Sequence, residues 1–285
     1  MTYNTLYRNT IMLLKKAGNE APAFDTMCLF EDILGMNRHS LIINGNVEVS
    51  ESNRKKIEAS AQKRAEGYPL QYILGKWSFM DFDFFVGEGV LIPREDTSVV
   101  VKLCIDEIKT LKKEAPKILD LCAGSGAISV VLSKLIPQST VTAVELYEKA
   151  AYYLRKNISL NQCKNISSVI ADVFRDISLF ENQQFDVIIS NPPYIISSEI
   201  SQLQKEVRFE PETALSGGID GFDFYREIIG SWSRLLKKNG LMVFELGENQ
   251  FDTVKNMLLE NGFSDINYSL DIQKIKRGIS GIKYS

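Results

Sequence analysis

A chain of 285 residues can hold one large α/β domain and a smaller second one. Its hydrophobic fraction of 45% and charged fraction of 24% are ordinary for soluble proteins. No apolar run approaches the roughly 20 residues of a membrane span, and the N-terminus lacks a signal-peptide pattern, so we expect a soluble, cytoplasmic protein with no membrane partner. A net charge of −3 argues against nucleic-acid binding, which needs clustered Lys and Arg.

Cysteine and histidine usage excludes several kinds of site. The four cysteines are scattered and form no C-x-x-C pair, so the sequence predicts neither a disulfide framework nor a metal site. His39 is the only histidine, which excludes His-based metal sites and most Ser-His or Cys-His nucleophilic schemes. We interpret His39 as a structural or surface residue.

The first 70 residues predict a small helical bundle, because their apolar residues recur at helical spacing and strand signals are weak. In the second helical segment, Asp25 is a plausible N-cap and Gly35 a plausible end. A further helix is predicted from about Ser50 to Glu66, before a glycine and a proline. Residues 1–70 are therefore expected to form an N-terminal helical domain.

Residues 71–93 change to aromatic and β-branched residues punctuated by glycine, as in the segment from Trp77 to Gly87. This pattern predicts a β-hairpin connector. We interpret its aromatic residues as core packing rather than as ligand contacts.

From residue 94 to 285, strand-like runs alternate with helix-length segments, which is typical of a doubly wound, mostly parallel sheet. The predicted strands are 117–121, 140–145, 166–171, 185–190, 241–246, 265–270 and 278–284. The predicted helices are 126–135, 147–160, 222–236 and 250–260.

A turn of small residues follows the first of these strands, between Asp120 and the next helix. Gly124 and Gly126 allow the backbone to approach a ligand closely, and the following helix N-terminus offers free amide donors. A nucleotide-like cofactor fits such a turn, although a tight turn without ligand is an alternative. The residues of this candidate loop are Asp120, Cys122, Ala123, Gly124, Ser125 and Gly126.

Two acidic residues at later strand ends extend the candidate cofactor site. Glu145 ends the strand about 20 residues beyond the glycines, where a carboxylate can accept hydrogen bonds from both ribose hydroxyls. Dehydrogenases place an acid in the same way, so this feature does not separate them from methyltransferases. Asp172, followed by Val173, could bind an adenine amino group or act as a helix cap.

The segment that separates these classes is Asn191-Pro192-Pro193-Tyr194, at the end of a buried-type strand. Prolines remove amide donors and end the strand, which leaves nearby carbonyl oxygens available to a ligand. Asn191 adds a side-chain carbonyl and Tyr194 an aromatic face. Together they could hold a flat NH2 group by two accepted hydrogen bonds and stacking, which favours methylation of a planar nitrogen.

At this point the chain resembles the Rossmann-like class I methyltransferases with an N-P-P-Y motif. More narrowly it resembles the HemK/PrmC family, the glutamine methyltransferases of peptide chain release factors. The motifs that carry the resemblance extend over nearly the whole chain. They are Tyr72–Gly75, Val90–Arg94, Asp120–Ile128, Asn191–Ile195, Phe209–Pro211, Gly217-Gly218 and Asp220-Gly221.

The resemblance implies a seven-stranded, mostly parallel sheet joined by the hairpin to a bundle that helps to recognise a class I release factor. It implies that S-adenosylmethionine is converted to S-adenosylhomocysteine, and that the methyl group goes to N5 of the glutamine in a Gly-Gly-Gln motif. Asn191, Pro192 and Tyr194 are then the catalytic residues. The implied substrate site is Asn191 to Tyr194, and the implied cofactor site is the turn at 120–126 with Glu145, Asp172, Val173 and Asn191.

The chain departs from the family pattern at three places. Cys122 replaces the usual first glycine of the cofactor loop, which we expect to be tolerated at a negative φ. The family commonly has Pro-Glu-Thr-Glu after Arg94, where this chain has residues 95–98 with a different sequence. The loop 271–274 lacks the glycine often found there.

Three rival interpretations remain at this point. A nucleic-acid amine methyltransferase would use the same N-P-P-Y chemistry on a flipped base, but the negative net charge counts against a nucleic-acid substrate. A nicotinamide-dependent oxidoreductase leaves Asn191 to Tyr194 unexplained. A non-catalytic adaptor with a vestigial pocket does not account for the intact Glu145 and N-P-P-Y segment.

Overall fold

The structure is a computed structural model that describes residues 1–284. The chain forms two compact units. The first comprises Met1–Gly75 together with Gln204–Phe209, and the second comprises Lys76–Leu203 and the chain from Glu210 onward. Over the described residues, no helix combines the length and the apolar character needed to cross a membrane.

Residues 1–75 contain five helices, and polar side chains begin three of them. Thr2, Asn37 and Ser50 each accept a backbone N–H from the residue three positions later, which satisfies an amide that the helix leaves unpaired. His39 is exposed on the third helix. The helices are α1 (Tyr3–Lys16), α2 (Pro22–Leu34), α3 (Arg38–Asn44), α4 (Glu51–Ala65) and α5 (Leu70–Leu74).

The ends of α2 differ in how well the sequence predicted them. Gly35 ends the helix in the left-handed region with a φ of 63°, as predicted. The prediction that Asp25 is the N-cap is wrong, because Pro22 starts the helix almost one turn earlier. Asp25 is instead buried, and one of its carboxylate oxygens lies 2.6 Å from Nε of Arg64 on α4.

The second unit begins with the predicted hairpin, formed by β1 (Lys76–Phe79) and β2 (Phe82–Phe85). Met80 and Asp81 form its two-residue turn with φ values of 48° and 66°, the backbone that a tight hairpin turn requires. Phe79 and Phe84 are buried and pack edge to face, which agrees with the interpretation of the aromatic residues as core.

The predicted mostly parallel sheet is present, with seven strands in the order β5-β4-β3-β6-β7-β9-β8. Strands β3 to β7 pair in parallel, whereas β9 is antiparallel to both of its neighbours. The strands are β3 (Lys117–Leu121), β4 (Thr140–Glu145), β5 (Ile166–Ile170), β6 (Phe185–Ser190), β7 (Leu236–Glu245), β8 (Phe263–Leu270) and β9 (Lys276–Lys283).

Helices of the second unit pack against this sheet. They are α6 (Thr97–Thr110), α7 (Ala127–Leu135), α8 (Glu148–Leu160), α9 (Asp223–Gly230) and α10 (Phe251–Glu260). The sequence analysis did not predict α6. It also predicted a helix at 222–236, but α9 ends at Gly230 and a 3-10 turn at Trp232–Leu235 follows. Further 3-10 turns are Ile177–Phe180, Ser197–Gln202, Val207–Phe209 and Glu212–Ala214.

The strand order places a crevice between β3 and β6. From β3 the chain proceeds to β4 and β5 on one side, whereas β6 and β7 lie on the other. Loops that leave the carboxyl ends of β3 and β6 therefore diverge, and ligands of open α/β sheets bind at such a switch point. Leu121 pairs with Ser190 across the two strands, so the small-residue turn and Asn191 begin at the same sheet edge.

Candidate active site

A cleft of about 1160 Å³, including the part open to solvent, lies at this carboxyl edge within the second unit. Nine of the predicted cofactor and substrate residues line it: Cys122, Ala123, Gly124, Ser125, Glu145, Asp172, Val173, Asn191 and Pro193. Asp120, Gly126, Pro192 and Tyr194 are not among the described residues that line it.

Both glycines of the turn after β3 have left-handed backbones that favour glycine, with φ values of 55° at Gly124 and 81° at Gly126. A Cβ on Gly126 would lie 2.5 Å from Cδ1 of Leu154, so this glycine also allows α8 to pack closely. A Cβ on Gly124 would meet no described atom within 4 Å and would project into open space. The turn therefore leaves room beside the backbone of Gly124 for a ligand.

Cys122 departs from the expectation stated for it. Tolerance of a cysteine here was predicted for a strand-end position with a negative φ, but Cys122 has a φ of 60° and occupies the left-handed region itself. The thiol packs against the sheet core, and burial raises its pKa, with the charge of Glu145 adding to the effect. This position therefore carries a side chain on a backbone that glycine would adopt at lower cost.

The backbone at Cys122 makes a stability prediction. At a left-handed position an L side chain costs about 1 kcal/mol, so Cys122→Gly should be more stable than Cys122→Ala by about that amount. At a negative φ the order reverses, because glycine adds entropy to the unfolded chain. Urea unfolding of the two variants measures the difference, and an Ala variant that is the more stable would contradict the observed backbone.

Glu145 connects two loops of the cleft. Its Oε2 accepts the N–H of Gly124 at 2.8 Å, and its Oε1 accepts the N–H of Tyr147 at 2.9 Å. Burial raises the pKa of this carboxyl, whereas the backbone amides stabilise the ionised form. Two carboxylate oxygens offer about four acceptor positions, so acceptor capacity remains for a ligand in the cleft.

Asp172 lies in the loop after β5, where its Oδ1 accepts the N–H of Phe174 at 2.8 Å. This bond spans two residues and forms a local turn rather than a cap at a helix start. The ring of Phe174 packs edge to face on Phe224 at 4.9 Å, and both rings line the cleft. The sequence analysis missed this aromatic wall. Phe174 directly follows Val173, and this was a signal for it, whereas nothing in the sequence indicated Phe224.

Asp120 does not line the cleft and bonds a neighbouring helix instead. It is fully buried, and its Oδ2 accepts the hydroxyl of Ser129 on α7 at 2.5 Å. Burial raises its pKa to about 7. The observed contact therefore links β3 to α7, and a direct contact between Asp120 and cofactor stays a prediction.

Asn191 follows β6 directly and faces the cleft with its side chain bonded on one side. Its Nδ2 donates to Oγ1 of Thr97 at 3.3 Å. Thr97 is the first residue of α6 and also lines the cleft. The sequence analysis missed Thr97, although it lies in the short segment after Arg94 where the chain departs from the family pattern.

Two hydrogen bonds hold Tyr194, the last residue of the motif. Its hydroxyl donates to Oε1 of Glu245 at 3.3 Å, and its carbonyl oxygen accepts Nε2 of Gln250 at 3.0 Å. Burial raises the pKa of the Tyr194 phenol above its usual range, and the charge of Glu245 adds to the effect. The face of Tyr194 packs against the sheet core, so its stacking on a substrate stays a prediction.

Glycines of a later segment pack directly on the backbone of the N-P-P-Y motif. A Cβ on Gly217 would lie 2.7 Å from Cα of Tyr194, and one on Gly221 would lie 2.6 Å from its carbonyl oxygen. The N–H of Ile195 donates to the carbonyl of Leu215 at 2.8 Å. The Gly217 to Gly221 segment is therefore a brace that fixes the path of the chain after the two prolines.

An ion pair joins two further segments of the cleft wall. The guanidinium of partly exposed Arg94 pairs with the buried carboxylate of Glu210, whose Oε2 also accepts the N–H of Ile92 at 2.9 Å. The fold therefore brings together segments that are 116 positions apart in the chain. Arg94 lines the cleft and presents a positive charge there.

The chain matches known families in two places. Residues 5–75 match the family described as PrmC N-terminal domain, and residues 102–209 match the family described as Methyltransferase small domain. A release factor glutamine methyltransferase of Fusobacterium nucleatum is 37% identical over 261 residues, which cover 91% of this chain and 73% of the relative. One of Geobacter sulfurreducens is 36% identical over 272 residues, or 94% and 92% of the two chains.

The chain belongs to the release factor glutamine methyltransferase family. Among solved structures, a methyltransferase from Pyrococcus furiosus matches with a TM-score of 0.51 at 16% identity, over 83% of this chain and all of that one. This likeness shows the class I methyltransferase fold. Membership of the release factor glutamine methyltransferase family confirms the sequence-based assignment and makes the chain an S-adenosylmethionine-dependent enzyme by class.

Proposed function

We propose that this chain transfers a methyl group from S-adenosylmethionine to N5 of the glutamine in the Gly-Gly-Gln motif of class I peptide chain release factors. The two relatives named release factor glutamine methyltransferase match more than nine-tenths of the chain. The observation that carries the proposal is that Asn191, with an amide oxygen able to accept from a planar NH2 group, lines the same cleft as the glycine turn. A nucleic-acid amine as the substrate is the less favoured alternative.

The cleft residues fit the proposed cofactor. The open space beside Gly124 suits an adenosine. The Glu145 carboxylate, which the N–H of Gly124 holds in place, would accept hydrogen bonds from its ribose hydroxyls. Asp172, Val173 and the Phe174 ring offer a polar group and apolar surface for the adenine. S-adenosylmethionine supplies a methyl group activated by its sulfonium, and S-adenosylhomocysteine is the product.

Positioning of the acceptor amide is the main task of the protein. An amide nitrogen is a poor nucleophile, because its lone pair is delocalised into the carbonyl group. Two acceptors, the Oδ1 of Asn191 and the carbonyl oxygen of Pro192, would bind the two N–H groups and orient the nitrogen. Pro193 would add apolar surface, and Tyr194 would pack on the flat amide.

The direct test is mass spectrometry of release factors after incubation with the protein and labelled S-adenosylmethionine. A single added methyl group on the Gly-Gly-Gln glutamine is expected, and a release factor with that glutamine changed to asparagine should stay unmodified. Label transferred to RNA or DNA instead would replace the proposed function with the nucleic-acid alternative. Because the substrate acts in translation, we also propose a cytoplasmic location.

We further propose that the N-terminal domain, residues 1–70 by the sequence-based boundary, recognises the release factor. Ile42 and Ile43 on α3 are 75% and 67% exposed, which is unusual for adjacent large apolar side chains. Changing both to serine should raise KM for the release factor about tenfold, since interface residues of this kind often contribute over 1 kcal/mol. The affinity for S-adenosylmethionine should not change.

A matched control for this pair is Leu259→Ser on α10, which changes an exposed aliphatic side chain of the second unit. Steady-state kinetics with varied release factor should show a normal KM for this control. An unchanged KM for the Ile42 and Ile43 variant would remove this part of α3 from the proposed recognition surface.

A further inference from the structure

The Asn191 amide is held in one orientation by a buried group outside the N-P-P-Y motif. Its Nδ2 donates to Oγ1 of Thr97, which is only 4% exposed. An amide group has its nitrogen and oxygen on opposite branches. The bond to Thr97 therefore occupies the donor side of Asn191 and leaves Oδ1 as the free acceptor.

The direction of that hydrogen bond depends on a second residue. The Tyr194 hydroxyl donates to Oε1 of Glu245 at 3.3 Å, and the Thr97 hydroxyl also acts on this carboxylate and lowers its pKa. A hydroxyl has a single hydrogen, and an ionised carboxylate can only accept. When the Thr97 hydrogen is drawn to the ionised carboxylate, the Thr97 oxygen accepts from Nδ2 of Asn191, the contact observed at 3.3 Å. An ionised Glu245 thus favours the observed orientation, in which Nδ2 of Asn191 faces α6.

Burying the carboxylate of Glu245 at this position costs folding free energy. It ends β7, is 1% exposed, and its Oε2 has no hydrogen-bond partner among the described residues. Burying a carboxylate costs several kcal/mol unless charges and donors compensate it. A neutral side chain of the same shape would avoid that cost. The network that Glu245 orients offers a functional reason for an acid here.

We propose that Thr97 and Glu245 are positioning residues for methyl transfer, which hold Asn191 with Oδ1 available to the acceptor amide. This inference rests on the proposed role of Asn191 as the acceptor of the substrate N–H. Tyr194 donates to Oε1 of the same carboxylate at 3.3 Å, so Glu245 also holds the buried end of the N-P-P-Y motif.

The network makes the orientation depend on pH. Burial raises the pKa of Glu245 to about 7, against the opposing hydrogen bonds from Thr97 and Tyr194. The titratable groups that act on it or are acted on by it are Asp96, Arg277, Tyr194 and Tyr225. Below about pH 7 the protonated Glu245 has a hydrogen of its own to donate, so the Thr97 hydrogen is no longer drawn to it. Methyl transfer should therefore fall as the pH drops through this range.

The activity test uses three threonine variants of the full chain. Thr97→Val removes the hydroxyl at constant shape and should lower kcat by roughly 10- to 100-fold, because an Asn191 side chain that is no longer held aligns the substrate nitrogen poorly. Thr97→Ser keeps the hydroxyl and should restore most of kcat. Thr110→Val makes the same change at the other end of α6, where the hydroxyl bonds only its own helix backbone at 2.9 Å, and should behave as wild type.

Glu245→Gln tests the ionised group. It should lower kcat and remove the acid limb of the pH profile, with S-adenosylmethionine affinity unchanged by calorimetry. A merely structural Glu245 would lower stability without changing the shape of that profile. Unchanged kcat in Thr97→Val, or an acid limb that persists in Glu245→Gln, would overturn the proposal.

An NMR measurement reads the orientation without any substrate. In isotope-labelled protein, the side-chain NH2 signals of Asn191, assigned by their loss in Asn191→Asp, should shift strongly or broaden in Thr97→Val and stay in place in Thr97→Ser. If the release factor is not the substrate, wild type and all variants will fail to methylate it. The NMR difference between wild type and Thr97→Val will persist even then. Signals that are identical in wild type and Thr97→Val would refute the positioning role by themselves.

Discussion

Asn191→Ala is expected to slow methyl transfer to the release factor by about 100-fold or more, by analogy with deleting one preorganised hydrogen-bond partner of a reacting group. Its Oδ1 is the side-chain acceptor at the cleft, and its Nδ2 is bonded to Thr97 at 3.3 Å. The affinity for S-adenosylmethionine should change little, because Gly124 and Glu145 hold the proposed cofactor side. Methyl incorporation and calorimetric binding measured on the same preparation separate the two effects.

Asn191→Asp sharpens this test. It keeps the shape and the acceptor atoms but removes the N–H donor to Thr97 and adds a negative charge beside Thr97. Transfer should therefore stay well below wild type, even though an acceptor oxygen remains. A wild-type rate in Asn191→Ala would make the N-P-P-Y segment a structural strand end and would remove Asn191 from the mechanism.

The parts of the site that the sequence predicts are those that lie next to a strand end. The turn after β3, Glu145 at the end of β4 and Asn191 after β6 all follow buried apolar runs that are easy to recognise. Parallel strands bring their carboxyl ends to one edge, so local patterns suffice to place these residues together. The sheet and the meeting of these residues at one edge were predictable for this reason.

Residues that reach the site from elsewhere were not predictable in the same way. Thr97 starts a helix that the sequence analysis missed, and Glu245 faces the motif only because β7 pairs beside β6. Neither contact depends on sequence spacing, since Thr97 and Asn191 are 94 positions apart. Their pairing is a result of tertiary packing, which periodicity does not report.

Cys122 shows a different limit. The backbone at this turn is fixed by the close packing of Gly126 on α8 and by the bond from the Gly124 N–H to Glu145. The turn therefore imposes a φ of 60° on a residue that would ordinarily avoid it. Residue preference alone pointed to a negative φ, because it includes no information about these tertiary constraints.

Glu145→Ala is expected to weaken S-adenosylmethionine binding by roughly 1.5–3 kcal/mol, the usual cost of losing a charge-assisted hydrogen-bond acceptor. This corresponds to a Kd increase of about 10- to 150-fold. The carboxylate is only 7% exposed and accepts the N–H groups of Gly124 and Tyr147, so no solvent would replace it fully. Calorimetry with S-adenosylmethionine measures the change.

Because Glu145 also holds the turn at Gly124, a second ligand must separate the ribose contact from the shape of the loop. Wild type should bind S-adenosylhomocysteine much more tightly than its analogue without the two ribose hydroxyls, whereas Glu145→Ala should bind both with similar affinity. A loop effect alone would weaken the two ligands equally and leave their difference intact. That second result would assign Glu145 to the support of the turn and would leave the ribose hydroxyls to other groups of the cleft.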